Sequence, residues 1–244
     1  MTTTHTAPAR YTAAEFETSV LSHPPAIAVF DCDGTLWSGD AGYGFMVWSI
    51  DAGLVSRNAS DWIDAQYRLY LAGDVSESQI CGEMVQLYDG LQEEEIRRAA
   101  AEYFHLHVEA HIFPELQTLV EKLQAQQTDI WAVSSTNNWV IEEGISRFNI
   151  PADRVLSARV KVANGRITSE LIDVPTGEAK VVALGKAGID HPDAVFGNSI
   201  HDEAMLTIAK HAYPVNPSPA LSEISGRRGW TVFYPESVLH DAKL

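Results

Sequence analysis

The residues best suited to chemistry are Asp31 and Asp33, one position apart at the end of the apolar run Ala26-Ile27-Ala28-Val29-Phe30 and followed by Gly34 and Thr35. A short apolar run bounded by a turn signal reads as a buried parallel strand, and Asp33-Gly34 supplies the turn. In an open α/β sheet, ligands sit beyond the carboxyl ends of the strands, where both carboxylates would lie. Two acids so close repel unless a proton or a cation divides them. The pair is therefore a candidate for a nucleophile, a proton donor and a cation site at one point. Taken alone, Asp-Gly after a strand is most often only a turn.

Three further stretches carry groups of matching chemistry. Asp129-Ile130-Trp131-Ala132-Val133 reads as a second buried strand ending in Ser134-Ser135-Thr136-Asn137 before a helix. There Ser134, Ser135 and nearby N–H groups suit a phosphate, although a helix cap is the plainer reading. Lys180 opens another helix and would neutralise phosphate and nucleophile charge, whereas an ordinary lysine is solvated. In Phe196-Gly197-Asn198-Ser199-Ile200-His201-Asp202 a strand gives way to oxygen-bearing groups, and Asn198 and Asp202 are candidate ligands of a hard cation such as Mg²⁺. An Asp near a helix N-terminus is the competing account of Asp202.

The elements that must position these groups follow from periodicity. A short helix is expected over 12–21, then the first strand, then helices near 43–52, 58–72, 76–89 and 92–110, with Gly53, Gly73 and Gly90 as stops. Beyond Pro114 the pattern alternates between helix and strand. Asn164-Gly165 turns a hairpin within 159–173, and short strands fall at 194–196 and 212–215. The fold class expected is α/β: a Rossmann-like parallel sheet with an inserted helical bundle and a small hairpin. The corresponding division is a disordered tail over 1–10, an α/β core from 11–38 and 112–244, and a helical insertion over 39–111.

Composition narrows the partners. The net charge of -16, from 33 acidic and 17 basic residues, disfavours nucleic acid. Two cysteines, Cys32 and Cys81, argue for free thiols in a reducing compartment. The polar start lacks a signal-like apolar stretch, and no run is long enough to span a bilayer, so a cytoplasmic protein without membrane contact is expected. His105, His107 and His111 lack the Cys or carboxylate pattern that would complete a zinc site. Oligomeric state is not legible.

Together, Asp31-x-Asp33-Gly34-Thr35, the strand ending in Ser134, the helix-opening Lys180 and Gly197-Asn198-x-x-x-Asp202 resemble the motifs of the haloacid dehalogenase superfamily of phosphohydrolases. The helical insertion looks like the cap of the phosphoserine phosphatase-like branch. The resemblance implies a Mg²⁺-dependent phosphomonoester hydrolase of a small phosphorylated metabolite, phosphoserine-, phosphocholine- or phosphoethanolamine-like. Asp31 would be the nucleophile and Asp33 the acid and base, with Ser134 and Lys180 completing the catalytic set. Gly34, Thr35 and Ser135 would bind phosphate, and Asp31, Asp33, Asn198 and Asp202 would serve the metal. In that branch an acidic residue at the position of Asp40 pairs with a substrate amine. Asn198 departs from the usual aspartate and brings no charge to the cation. Metal-free dehalogenases of the superfamily lack the second aspartate, so Asp33 favours phosphoryl transfer. A phosphotransferase or mutase with the same intermediate, and a catalytically weakened metabolite-binding protein, are the alternatives. Trp37, Tyr43, Phe45 and Trp48 are divided between aromatic contacts to a cation and helical core, with core favoured by their spacing.

Overall fold

The computed structural model describes residues 7–241. In chain order its elements are β1 (Arg10–Tyr11), α1 (Ala13–Leu21), β2 (Ile27–Phe30), α2 (Ala41–Asp51), α3 (Arg57–Ala72), α4 (Glu77–Gln86), α5 (Glu93–His107), α6 (Pro114–Ala125), β3 (Asp129–Asn137), α7 (Asn138–Ser146), β4 (Val155–Ala163), β5 (Arg166–Asp173), α8 (Glu178–Lys186), β6 (Ala194–Gly197), α9 (Glu203–Ile208), β7 (His211–Pro214), α10 (Pro219–Arg228), β8 (Val232–Phe233) and α11 (Glu236–Asp241). Of the tail expected over 1–10, residues 1–6 lie outside the described residues. Its last residue, Arg10, instead pairs in parallel with Val232.

Six strands form one sheet in the order β5-β4-β3-β2-β6-β7, parallel except for the β4–β5 hairpin. The hairpin turns at Asn164 and Gly165, both at positive φ (52° and 76°), as a two-residue turn matched to strand twist requires. Side chains of β2 alternate between two cores. Val29 packs with Trp131, Val133 and Val195 under Leu184, Met205 and Leu221 of α8, α9 and α10. Ala28 and Phe30 join the larger core with Phe16 of α1, Leu119 of α6 and Ile141 of α7, which continues into the helices that follow β2 through Phe45, Ile63, Tyr88 and Phe104. The expected α/β class and parallel sheet are thus present, with helices on both faces.

Strand β2 has β3 on one side and β6 on the other: the chain builds outward from β2 through β3, β4 and β5, then crosses back to place β6 on the opposite side, so the strand order diverges at β2. That divergence opens a crevice where Asp31 and Asp33 emerge. Helices α2 to α5 stand above it. The two chain segments that lead into and out of them pair with each other through Ser38 N–H to His111 O (3.0 Å) and Phe113 N–H to Leu36 O (2.9 Å). On the far side, Gly90 and Glu93 donate to the β5 and turn backbone at Ile167 and Gly165, both at 2.9 Å, tying the helices to the hairpin.

Candidate active site

Asp31 leaves β2 with both carboxylate oxygens engaged. Lys180 Nζ donates to one at 2.7 Å and Thr35 Oγ1 to the other at 2.9 Å. Lys180, in the first turn of α8, is 2% exposed and reaches under the end of β3 to donate also to Asp202 (2.6 Å) and to the Val133 carbonyl (3.2 Å). The surface-lysine reading is thereby excluded. Asp202 is fully buried, and its second oxygen accepts the N–H groups of Asn198 and Ser199, both at 2.9 Å, and the Ser199 hydroxyl. The carboxylate so fixes the loop after β6 and aims the ammonium group at Asp31.

Asp33 is held from three directions. One oxygen accepts Trp37 Nε1 (2.7 Å) and the Ala41 N–H at the start of α2 (2.8 Å), and the other accepts Thr136 Oγ1 (2.7 Å). Gly42 permits that close approach of α2 to β3, since a Cβ there would meet Thr136 Oγ1 at 2.5 Å. Gly34, at φ +77°, lies against Asn198, whose Nδ2 would be 1.8 Å from a Cβ. Ser134 is buried, and its hydroxyl accepts the Thr136 N–H at 3.1 Å. Strand β3 runs on to Asn137, three residues past the end expected at Ser134, and Asn137 then caps α7 through the Val140 N–H.

Two carboxylates, Asp31 and Asp202, meet on one buried lysine, and a third, Asp33, follows two residues after Asp31. Burial, and next the charge of Asp202, push Asp31 up to about 7 against the pull of Lys180. Asp33 rises to about 6, first by burial and then by the charge of Asp40, while its hydrogen bonds pull it down. Burial would strip Lys180 of its proton, but Asp202 and Asp31 outweigh it and hold the ammonium charged. Negative charge therefore exceeds positive. The Asn198 side chain makes no hydrogen bond to the described residues, so an oxygen donor is free beside the surplus charge. This set suits a hard divalent cation. Among the described residues, no three His, Cys, Asp or Glu side chains form a metal cage. An ion here would also draw on the Asn198 amide, backbone carbonyl and ligand or water oxygens.

Above this floor opens a cleft of about 310 Å³, lined by Asp31, Asp33, Ser134, Ser135, Lys180 and Asn198 below and by α2, α3 and α4 above. Asp40 caps α2, accepting the Tyr43 N–H at 2.8 Å, and faces the cleft with its carboxyl raised by the surrounding protein. Tyr43 and Tyr67 stack at 4.8 Å between ring centroids, with Tyr70 beside them. Glu77, the first residue of α4, accepts the Thr176 hydroxyl at 3.0 Å and contacts His201. All the expected site residues line this cleft except Gly34, which packs against Asn198, and Thr35 and Asp202, which act behind Asp31 and Lys180. Of the four aromatics, Trp37 and Phe45 are buried in the core, Trp48 is half-buried, and Tyr43 reaches the cleft. Thr136, Tyr67, Tyr70 and Glu77 were not anticipated. For Thr136 the signal was its place two residues after Ser134, whereas the others depend on how α3 and α4 fold over the sheet. His105 pairs with Glu109 at 2.9 Å, and Arg57 with Asp61, both on the surface.

The profile of the haloacid dehalogenase-like hydrolases matches residues 28–207. A histidinol-phosphatase of Neisseria meningitidis serogroup C is 23% identical over 217 residues, 84% of this chain and 97% of that protein. A protein of unknown function from Bordetella pertussis Tohama I shares the fold with a TM-score of 0.75 at 22% identity, over 85% of this chain and 97% of that one. A substrate-bound phosphoserine phosphatase superposes with a TM-score of 0.57 at 16% identity, covering 85% and 91%. With its motifs gathered on one cleft and the family profile matched over well more than half its length, the chain belongs to the haloacid dehalogenase-like hydrolase family.

Proposed function

We propose that this chain is a Mg²⁺-dependent phosphatase that hydrolyses the phosphomonoester of a small metabolite, phosphoserine-, phosphocholine- or phosphoethanolamine-like, through an aspartyl-phosphate on Asp31. The observation that carries the reading is the meeting of Asp31, Asp33, Ser134 and Lys180 at one strand-end cleft with a surplus of negative charge. The names of the histidinol-phosphatase and phosphoserine phosphatase relatives support the reaction class.

In the first step an Asp31 oxygen attacks phosphorus opposite the ester oxygen. The phosphorus–ester bond breaks, its electron pair stays on the alcohol oxygen, and Asp33 delivers a proton there. In the second, Asp33 takes a proton from a water whose oxygen attacks phosphorus. The bond to Asp31 breaks and inorganic phosphate leaves. A carboxyl near pH 6 can serve as acid and then as base close to neutrality. Lys180 offsets charge at the nucleophile as the phosphate arrives, Ser134 and Ser135 supply hydroxyl groups beside the phosphate, and Thr35 holds the second Asp31 oxygen. Asp31, the Asp33 backbone carbonyl and Asn198 would hold Mg²⁺, which supplies charge neutralisation at the phosphoryl oxygens. We assign Asp202 to positioning Lys180 and the Asn198 loop, because both its oxygens are taken. Two free cysteines accord with a cytoplasmic setting.

The test is phosphate release with Mg²⁺ over a panel of phosphomonoesters, alongside Asp31→Asn. Release by the parent, a fall of about 10³-fold or more in the variant, and a phosphate adduct on the Asp31 peptide in acid-quenched turnover are expected. Equal rates in parent and variant would overturn the covalent mechanism. Phosphate passing only to an added alcohol would make the chain a phosphotransferase, and tight metabolite binding without release would make it a binding protein.

A further inference from the structure

If the floor acts on the phosphoryl group, the wall must hold the alcohol that leaves, and its composition limits what that alcohol can be. Among the described residues no arginine lines the cleft, and its one lysine, Lys180, is committed to Asp31 and Asp202. The one other basic side chain, His201, faces Glu77. A second anionic group on the substrate would thus meet no free cation and would lie among Asp31, Asp33, Asp40 and Glu77. An unpaired charge brought there would be held only at the cost of its lost hydration.

The same wall suits a positive charge. Asp40 has no ion-pair partner among the described residues, and its hydrogen bonds come from the Gly42 and Tyr43 N–H groups of the helix it caps. Counting His201 as fully charged against Glu77 still leaves Asp40 uncompensated. Between the two acids stand the rings of Tyr43, Tyr67 and Tyr70, and ring faces in a partly desolvated cleft attract ammonium groups. Glu77 is fixed from outside the cleft by Thr176, so its place does not depend on a ligand. Stacking of Tyr43 on Tyr67 likewise holds the aromatic surface in shape.

On the strength of the phosphatase reading, we infer that the natural substrate is the phosphomonoester of an alcohol that carries a positive charge and no carboxylate. Asp40, Glu77 and the Tyr43–Tyr67–Tyr70 surface would read that charge. Of the three substrate types named above, phosphoserine falls away, and amino- or ammonio-alcohol phosphates remain. The inference concerns selectivity only; phosphorus chemistry stays with the floor.

Matched esters test it on the unmodified protein with Mg²⁺. Phosphoethanolamine and phosphoserine differ by a carboxylate, and phosphoethanolamine and ethyl phosphate differ by the ammonium group. We expect kcat/KM for phosphoethanolamine to exceed each of the other two by about tenfold or more, as one desolvated charge contact warrants. Glu77→Gln keeps the contacts to Thr176 and His201 while removing a charge, and it should cut the phosphoethanolamine-to-ethyl phosphate ratio severalfold, mainly through KM. Phosphoserine equal to or better than phosphoethanolamine would overturn the inference, as would indifference to the ammonium group. An unchanged ratio in Glu77→Gln would remove Glu77 from it. Absence of release from every ester, a reactive aryl phosphate included, would overturn the phosphatase reading and this inference with it.

Discussion

At the floor of the cleft, Asp31, Lys180 and Asp202 are 6%, 2% and 0% exposed, and every charged oxygen or nitrogen has a partner within 3.0 Å. On the wall, Tyr43 is 38% exposed, Asp40 has no ion-pair partner among the described residues, and much of the surface is aromatic. The floor hangs from the ends of β2, β3 and β6 and the start of α8, parts of a sheet buried on both faces. The wall hangs from helices α2 to α4, which pack over the sheet, α4 beside β3 and β4. Groups that must meet a phosphorus atom in fixed geometry belong where packing immobilises them and low polarity strengthens their charges. Groups that choose among alcohols need less rigidity and more room. The contrast separates turnover from choice, and it can be broken at either side.

The largest effect should come from the floor. Lys180→Met preserves volume but leaves Asp31 and Asp202 facing each other, and we expect kcat to fall about 10²- to 10³-fold with every ester. Loss of one partner of a buried ion pair also costs about 3 kcal/mol or more of stability. The pH dependence of that loss has a definite sign. Without the ammonium group the two acids take up protons more readily folded than unfolded, so the folded state gains stability as pH falls. The melting-temperature deficit of the variant in chelator should therefore be larger at about pH 8 than at about pH 5. A deficit independent of pH would mean that the floor is not held by charge.

How far each side was legible in the sequence follows the same contrast. Asp31, Asp33, Ser134 and Lys180 sit at strand ends or a helix start, where apolar runs and turn residues announce the geometry, so local pattern made each a candidate and the resemblance to the superfamily's motifs joined them. The helices after β2 were also readable, because Gly53, Gly73 and Gly90 end them at positive φ. What local pattern does not carry is how α3 and α4 lean over the sheet. Tyr67, Tyr70 and Glu77 looked like any polar face of an amphipathic helix until α4 packed beside β3 and β4. Strands β1 and β8, two residues each, were missed because pairs so short have no periodicity to read. Asp202 was expected to serve the cation directly or through water; its oxygens accept Lys180 and two backbone N–H groups, and on the proposed reading it positions Lys180 and the Asn198 loop.

A smaller effect is expected at Asn198, which borders both floor and wall. Its amide makes no side-chain hydrogen bond among the described residues, lines the same cleft as Asp31 and Asp33, and packs on Gly34. Asn198→Ala should raise the Mg²⁺ concentration for half-maximal activity about tenfold while leaving kcat at saturating Mg²⁺ within a few-fold of the parent. Titration of activity with Mg²⁺ reads both numbers. An unchanged requirement would show that the cation, if held, is held without residue 198.

The smallest effect crosses from wall to floor, and it asks how separate the two are. After burial, the charge of Asp40 is the largest influence lifting the Asp33 carboxyl to about 6. Asp40→Asn removes that charge, and asparagine remains a good cap for α2, so the fold should be kept. Asp33 then loses its proton at lower pH. In the proposed mechanism the protonated form delivers the proton to the leaving alcohol, so the alkaline fall in kcat/KM should begin earlier. With ethyl phosphate, which carries no ammonium group for Asp40 to bind, the variant should be about two- to threefold slower than the parent at about pH 7.5 and nearly equal to it at about pH 5. An aryl phosphate, whose leaving group needs no proton, should show no such difference. If both esters lose rate equally at every pH, Asp40 acts through the shape of the wall; if only ethyl phosphate responds, and only above the Asp33 pKa, its charge reaches the acid below.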